Sequence, residues 1–181
     1  MNDVIAGMDL EGFRERYPDW LEANRPHLEA ANWKEAFKTY PFAVNSSAPW
    51  TPLRKPLSEC TLAVLSTAGL YLKNGQTPFD AANIEGDWTF RELPADASPA
   101  DLGIAHDHYP HEAAEKDLNA VYPLDRLREL AAEGCIGAVA RKHYSISGYC
   151  TRSDLVVEKA APELVAALGA AGVDVVLHLP V

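Results

Sequence analysis

The last stretch of the sequence, Gly172-Val-Asp-Val-Val-Leu-His-Leu-Pro-Val181, constrains the fold more than any other. It follows a helical segment and a glycine, which is the order found in the second half of a strand–helix–strand unit. Parallel strands in such units are buried on both faces and therefore read as nearly continuous apolar runs. In open α/β sheets, the loops beyond the carboxyl ends of these strands form the ligand site. The sequence therefore predicts a buried strand over 173–181, with a site at its end.

Length and composition indicate one ordinary globular domain. The 181 residues are enough for a well-buried core, and 48% of them are hydrophobic and 23% charged. Sixteen basic residues against 26 acidic ones give a formal net charge of -10, and Lys and Arg form no cluster larger than a pair. The charge therefore argues against nucleic acid and anionic membrane as partners.

The first residues and the cysteines bear on location. The first thirty residues carry several acidic side chains and lack the apolar core of a secretory signal, so we expect a cytoplasmic protein. The longest apolar region, 164–181, is interrupted by glycine, aspartate and histidine, which argues against a membrane span. Cys60, Cys135 and Cys150 are widely spaced and odd in number, which is typical of reduced thiols.

The chain divides into two regions of different character. Residues 1–55 predict a helical N-terminal arm and an extended connection, with short helices broken at Pro18 and Pro26 and the connection anchored by Trp50. Residues 56–181 predict an α/β domain whose mostly parallel sheet is flanked by helices in three layers. We expect this domain to be incomplete at its C-terminus, with exposed apolar surface or a partner chain beside its last strand.

The first clear strand is Cys60–Thr67, and Gly69 permits a tight turn directly after it. Beyond it the sequence predicts irregular chain over 70–87, a strand over 88–93, a short turn capped by Ser98 and a helix from Leu124 to a terminating Gly134. A last helix, capped by Ser153, is predicted to run towards Gly172, and Pro162 must either restart it or kink it.

Hydroxyl groups gather at the predicted carboxyl edge of the sheet. Ser66 and Thr67 end the first strand beside Gly69, and Tyr144 and Ser145 lie in a segment that we expect at the same edge. These residues are candidates for contacts with a substrate. The alternative for Ser66 and Thr67 is a turn whose hydroxyls satisfy its own backbone.

His106, His108 and His111, with Tyr109 among them, form the densest group of reactive side chains. On an extended segment, an HxH pair and a third imidazole could form a zinc or iron site, although no carboxylate is fixed as a further ligand. Acid–base chemistry is the second alternative, since the pKa of histidine lies near neutrality. Solvated histidines on a loop are the third. A separate histidine, His178, is expected to be a hydrogen-bonded core residue.

Two common enzyme classes are not supported by their motifs. The turn after the first strand, Thr-Ala-Gly-Leu, has neither the GxGxxG fingerprint nor the GxxxxGK[ST] loop that binds nucleotide phosphates. A GxSxG elbow, which serine hydrolases of the α/β type require, is also absent from the sequence.

Five stretches in one order give the sequence a family resemblance. They resemble the selenoprotein B family of the glycine, sarcosine, betaine and D-proline reductases, and in particular its short, D-proline-reductase-like members. The resemblance runs from about residue 56 to the end. The stretches are Pro56-Leu-Ser-Glu-Cys-Thr-Leu-Ala-Val-Leu-Ser-Thr-Ala-Gly-Leu-Tyr71, Gly86-Asp-Trp-Thr-Phe-Arg-Glu-Leu-Pro94, His106-Asp-His-Tyr109, Tyr122-Pro-Leu-Asp-Arg-Leu-Arg-Glu-Leu-Ala-Ala-Glu-Gly134 and Gly172-Val-Asp-Val-Val176.

The resemblance implies a reductase that cleaves the bond between the α-carbon and the nitrogen of an amino acid. In the family, the strand matching 173–181 is followed by selenocysteine, or by cysteine in some members. The resemblance therefore implies a redox residue just after Val181, without which the chain is inactive. It also implies an oligomeric complex in which a partner subunit carries a pyruvoyl group, while no cofactor is bound by this chain itself.

The residues expected to act are assigned from these arguments together. His106 and His108 are the candidate catalytic residues, which could protonate the leaving amine or position the carboxylate of a small amino-acid substrate. The candidate substrate-binding residues are Ser66, Thr67, Gly69, Tyr109, His111, Tyr144 and Ser145. The rival interpretations are a non-catalytic α/β module that binds a ligand or a subunit, and a histidine metalloenzyme.

The implied redox residue can be tested on the gene. We expect codon 182 to be UGA, which encodes selenocysteine in such genes, followed in frame by a cysteine of the family motif. Sequencing the gene past codon 181 checks this. An ordinary stop codon, or a downstream frame without a Cys or selenocysteine motif, contradicts it.

Overall fold

A computed structural model of the chain describes residues 8–46 and 51–181. Its strands are β1 (Thr61–Ser66), β2 (Leu70–Leu72), β3 (Phe90–Pro94), β4 (Leu102–Ile104), β5 (Ala138–Val139), β6 (Lys142–Ile146) and β7 (Val175–Leu179). Its helices are α1 (Leu10–Glu29), α2 (Trp33–Ala36), α3 (Glu112–Lys116), α4 (Leu124–Ala132), α5 (Ser153–Leu155) and α6 (Ala161–Ala170).

The centre of the fold is β1, which has neighbours on both sides. It pairs in parallel with β7, from Leu62 opposite Val175 to Ser66 opposite Leu179. On the other side it pairs in parallel with β5 and then with β6, which act as one interrupted strand. Strand β3 joins β6 in the antiparallel direction. The predicted α/β class, with a mostly parallel sheet flanked by helices and a helical N-terminal arm, is confirmed.

Burial on both faces explains the composition of β1. Leu62 and Val64 lie in the main core with Leu124 and Leu127 of α4, while Ala63 on the opposite face is fully buried. A strand covered in this way reads as a continuous apolar run, which is why its position could be predicted. A separate ribbon of β2 and β4 follows the turn after β1. Its first strand, β2, lies where the sequence predicted irregular chain.

The prediction that the last strand is buried on both faces is wrong. In β7, Val175, Leu177 and Leu179 pack partly buried on the main core, whereas Val176 is 38% exposed and His178 is exposed. These residues are exposed because β7 is an edge strand: within the described ranges it pairs with β1 on one side only. His178 is therefore a surface residue and not the core histidine that the sequence predicted.

The arm also differs from its prediction, because α1 continues through Pro18 and Pro26. Phe13, Tyr17 and Trp20 recur at helical spacing and are buried, while both prolines lie on the exposed face. Water can therefore bind the carbonyls that the prolines leave without a partner. Burial of the aromatic face outweighs the cost of the two missing hydrogen bonds.

The arm is hydrogen-bonded to the domain through Thr151, which is fully buried. The Tyr17 hydroxyl lies 2.8 Å from a Glu85 carboxylate oxygen and 2.7 Å from the Thr151 hydroxyl. The Tyr40 hydroxyl donates to the Thr151 carbonyl at 2.7 Å.

The predicted boundary between arm and domain at residue 55 stays a prediction. Trp50, the expected anchor of the connection, lies outside the described residues.

Helix boundaries agree with the sequence in two places and differ in a third. Ser98 caps a 3₁₀ turn, Pro99–Asp101, and Gly134 follows α4 with a φ of 74°. The expected cap at Ser153 is wrong, because Arg152 precedes α5 and makes no side-chain cap. A π turn over Val156–Ala160 joins α5 to α6. Helix α6 begins at Ala161, so Pro162 lies in its first turn, where proline is tolerated, and the helix restarts there. Among the residues that the structure describes, no helix has the length and apolar content needed to cross a membrane.

The fully buried His143 should make the fold acid-sensitive. Its Nδ1 accepts the Val64 N–H at 3.0 Å, and burial lowers its pKa from 6.5 to about 4. The unfolded chain therefore binds the proton first, so stability is complete above pH 6.5 and is lost as the pH falls toward 4. We expect the free energy of unfolding to fall by about 3 kcal/mol across this window, at about 1.4 kcal/mol for each pKa unit.

Urea unfolding at several pH values measures this slope. His143→Asn keeps a side-chain acceptor but does not titrate in this range, so it should flatten the slope. Leu93→Ala removes apolar packing from the same core, so it should lower stability at every pH without changing the slope. An equal slope in His143→Asn and the unmodified chain would contradict the assignment.

Candidate functional site at the carboxyl edge of the sheet

A tight turn after β1 brings three segments together. Gly69 has a φ of 69°, and a Cβ there would lie 2.5 Å from the Ala105 carbonyl oxygen. Its N–H donates to the Ile146 carbonyl at 3.1 Å, and its own carbonyl accepts the Ala105 N–H at 2.9 Å. Only glycine permits both this conformation and this approach. Gly69 therefore joins the end of β1, the end of β6 and the segment that carries the histidines.

The two predicted serines hold this turn with their hydroxyls. Ser66 Oγ donates to the Val121 carbonyl at 2.7 Å and accepts the Ala68 N–H at 3.2 Å. Ser145 Oγ accepts the Leu70 N–H at 2.8 Å and donates to the Ser66 carbonyl at 3.1 Å. Both serines are fully buried. For Ser66 this is the arrangement that the sequence left open as the alternative to substrate binding.

Tyr144 lies on a different side of the sheet from the serines. In β6 it neighbours Ser145 and so faces the opposite way, with its ring 5.9 Å from that of Phe90. The residue is 1% exposed, and its hydroxyl has no hydrogen-bond partner within the described ranges. Burial raises the pKa of this hydroxyl. The structure therefore separates Tyr144 from the other predicted substrate-binding residues.

Thr67 holds the end of β7 against the turn. Its N–H donates to the Leu179 carbonyl at 3.0 Å, and its Oγ1 accepts the Val181 N–H at 2.8 Å. Pro180, between these two contacts, has no N–H to donate. The threonine side chain thus extends the contact between β1 and the last strand beyond their regular pairing.

His106 is buried above this turn in one defined tautomer. Its Nδ1 accepts the His108 N–H at 3.1 Å, so the neutral ring carries its proton on Nε2. Nε2 faces Gly148, where a Cβ would lie 2.9 Å from Nε2 and 3.1 Å from Thr67 Oγ1. This buried nitrogen has no partner among the residues that the structure describes. Burial, with smaller effects of His108 and His111, lowers the pKa of His106.

Two more of the predicted residues complete the cover of the turn. Tyr109 donates its hydroxyl to the Ala68 carbonyl at 3.2 Å, and its ring lies 5.1 Å from that of His106. His111 Nε2 lies 2.6 Å from the His106 carbonyl oxygen, so this nitrogen is the donor. One ring nitrogen of His106 and one of His111 are therefore hydrogen-bonded to backbone groups. Across 8–46 and 51–181, no three His, Cys, Asp or Glu side chains are placed to hold a metal ion.

His108 is clamped by two aromatic residues that the sequence did not single out as site residues. Its ring stacks on Tyr149 at 4.0 Å, with 14° between the planes, and lies 4.4 Å from Trp33 of the arm. Burial lowers the pKa of His108, so its ring is neutral at pH 7. The sequence does show an aromatic face over residues 33–40, which indicates that this segment packs on something. It does not show that the segment packs on His108, because the two are distant in the sequence.

The predicted site is therefore brought together in part. Thr67, Gly69, His106, Tyr109 and His111 surround one turn, and His108 is held beside them. Neutral imidazoles of lowered pKa can donate or accept hydrogen bonds, and they can relay protons at neutral pH without carrying a fixed charge. Contacts of these residues with a substrate stay predictions.

Comparisons with known proteins identify relatives of the chain. Residues 31–179 match the family model described as glycine/sarcosine/betaine reductase selenoprotein B. The chain is 35% identical to the D-proline reductase subunit gamma of Acetoanaerobium sticklandii over 128 residues, which are 71% of this chain and 51% of that protein. No solved structure matches.

Two further relatives carry related names. The glycine reductase complex component B subunit gamma of Carboxydothermus hydrogenoformans is 29% identical over 76% of this chain and 32% of its own length. The betaine reductase complex component B subunit beta of Peptoclostridium acidaminophilum is 27% identical over 97% of this chain and 44% of its own length. The chain thus spans about half, or less, of the length of these relatives.

The aromatic clamp can be tested by titrating His108. Because burial is the cause of its lowered pKa, Trp33→Ala should expose the ring and raise that pKa toward its usual range. NMR titration of the His108 ring signals measures the change. Trp33→Phe, which keeps an aromatic cover, should have a much smaller effect. An unchanged pKa in Trp33→Ala would show that the arm does not bury this ring.

Proposed function

Because this chain belongs to the glycine/sarcosine/betaine reductase selenoprotein B family, we propose that it is the B-type subunit of an amino-acid reductase. The proposed reaction cleaves the bond between the α-carbon and the nitrogen of a small amino acid. D-proline is the proposed substrate ahead of glycine, sarcosine and betaine, because the D-proline reductase subunit shares 35% identity with the chain and the other relatives 27–29%.

One observation carries the proposal beyond the family match. The end of β7, the turn at Thr67 and the buried His106 meet at one edge of the sheet. Carboxyl ends of parallel strands are where open α/β folds bind their ligands. The matched region, 31–179, includes the aromatic clamp, the turn, the histidines and β7.

We place the redox residue of the reaction directly after Val181, as selenocysteine or cysteine. This position is supported by the hydrogen bond from the Val181 N–H to Thr67 Oγ1. A residue that follows Val181 would therefore begin close to Thr67 and to Gly148, which packs against Thr67. A selenolate supplies a soft, low-pKa nucleophile that can be reduced again after the reaction. Thr67 would fix the direction in which the chain reaches that position.

The overall reaction takes two electrons and two protons. A hydrogen replaces the nitrogen on the α-carbon, the nitrogen leaves as an amine, and a dithiol supplies both electrons as it becomes a disulfide. The same dithiol supplies both protons. Neutral His106 could hydrogen-bond to the leaving nitrogen through its Nε2–H, and neutral His108 could relay a proton by accepting it on one ring nitrogen while releasing one from the other.

The proposed complex contains a second type of subunit. The relatives are named as subunits or components of reductases, and we propose that a partner subunit supplies a pyruvoyl group that activates the substrate nitrogen. This chain would then contribute the β7 edge and the histidines, and the partner would complete the site.

Activity of the complete gene product tests the proposal. Expressed with its partner subunit and given a dithiol, the product that continues past codon 181 should reduce D-proline, and the product ending at Val181 should not. His106→Leu, which removes the Nε2–H donor, should lower kcat by about a hundredfold, as is typical for the loss of one preorganised hydrogen-bond donor. Cys135→Ser, at an exposed thiol, should leave kcat unchanged.

The assay is the loss of substrate together with the appearance of the ring-opened amine. A complete complex that reduces none of the four amino acids would overturn the proposal. It would favour the non-catalytic ligand-binding or subunit-interaction module instead.

A further inference from the structure

The two edges of the sheet differ in how they are closed to a further strand. At the β3 edge, Gln76 Nε2 donates to the Glu92 carbonyl at 2.7 Å, and Glu92 pairs with Lys142 at 2.9 Å. The strand ends in Pro94, which has no N–H to offer. Charged side chains, proline and covering groups are the devices by which proteins prevent pairing at a sheet edge. The β3 edge is therefore protected.

The edge formed by β7 has none of these devices. Its five residues, VVLHL, contain no proline, Asp, Glu, Lys or Arg, and their register with β1 is unbroken. The Asp174 N–H donates to the Thr61 carbonyl of β1 at 3.0 Å. Because successive residues of a parallel strand bond to alternate sides, the backbone groups of Val175 and Leu177 point away from β1. Within 8–46 and 51–181 no strand pairs with that side, which is therefore a template for another strand.

The helices show which face of β7 lacks cover. One parallel crossover runs from β1 through α4 to β5, and another runs in the opposite direction across the sheet, from β6 through α6 to β7. Parallel crossovers are right-handed, so α4 and α6 lie on opposite faces. Helix α4 belongs to the main core, and none of the described residues of α6 does. Val176 and His178 point to the α6 face, where Val176 is 38% exposed and Val165 of α6 is 56% exposed.

A helix followed by a parallel strand on the open side of β7 would satisfy both features. The crossover from β7 to that strand would run in the same direction as the one through α6. Its right-handed helix would therefore lie beside α6 and cover Val176 and His178. Antiparallel pairing with β7 of a second copy would bond the edge but would bring no helix to this face.

We propose that the segment following Val181 in the complete gene product forms this helix and this strand. The inference rests on the proposed function in one respect, the continuation of the chain past Val181. The relatives are long enough for such a segment, because the 128 matched residues are 51% of the D-proline reductase subunit gamma. A crossover between parallel strands takes a dozen or more residues.

The added unit also defines the crevice at the site. The chain after β1 leads to α4 on one face of the sheet, and the chain after β7 would turn to the other face. Ligand sites of open α/β sheets lie where neighbouring parallel strands diverge in this way. Thr67, which bonds the end of β7 to the turn after β1, would then lie at the base of the crevice.

Amide hydrogen exchange tests the added strand. It is followed by NMR in the complete gene product with cysteine at codon 182. The Val176 N–H, which by the same alternation faces β1, is the internal reference. The amides of Val175 and Leu177 should exchange within about tenfold of this reference, whereas at an open edge they exchange about a hundredfold faster or more. Fast exchange at both positions would overturn the inference.

Dilution separates the proposed segment from a second copy. Protection by a segment of the same chain should persist through about a hundredfold dilution, because it does not depend on concentration. Protection that is lost on dilution, together with a halving of the sedimenting mass, would assign the edge to a second copy. That result would also overturn the inference.

Two matched valine variants test the helix. Val176→Lys would place an ammonium group beneath it, so Tm of the complete gene product should fall by about 4–8 °C. Val44→Lys makes the same change at a side chain that is 62% exposed, far from β7 in the sequence, and should leave Tm unchanged. An equal Tm in the two variants would show that Val176 stays exposed, which contradicts a helix on this face.

The two proposals can fail separately, since exchange is measured without catalysis. Protected Val175 and Leu177 amides in a complex that reduces none of the four amino acids would overturn the proposed function alone. An active complex in which these amides exchange fast would overturn the added strand alone. An ordinary stop at codon 182 would remove the proposed segment and overturn this inference together with the position of the redox residue.

Discussion

Parallel pairing on both sides of β1 is the constraint on which the rest of the structure depends. It carries β5 and β6 on one side and β7 on the other, so their carboxyl ends meet at one edge. The turn at Gly69 then lets the histidine segment approach that edge. Without β1, nothing would hold together the separate segments whose residues surround Thr67.

Local patterns were enough to predict the elements that depend on local chemistry. Strand β1 is an apolar run ended by a glycine, and α4 has an apolar face and a terminating Gly134, so both were found. The environment of β7 and the continuity of α1 depend on neighbours distant in sequence. An edge position leaves Val176 exposed, and tertiary burial of aromatic residues carries α1 through two prolines. Neither is encoded within the segment itself.

The candidate site shows the same division. Its histidines and hydroxyls were visible as residue types, but their bonding states were not. Ser66 and Ser145 are bound to backbone groups, whereas the Nε2 atoms of His106 and His108 have no partner in the described structure. Which polar atoms remain free is decided by the packing of several segments. The contact between Trp33 and His108 likewise joins two distant parts of the chain, so no periodicity could indicate it.

The position of Trp33 has a thermodynamic consequence. The tryptophan follows α1 and packs with it, while its ring covers a histidine of the domain. Docking of the arm and ordering of that imidazole are therefore linked equilibria. If docking of the arm increases the affinity of that imidazole for a molecule, binding of the molecule must stabilise the docked arm by the same free energy. The N-terminal helix thereby becomes a reporter of occupancy at a site that it does not itself reach.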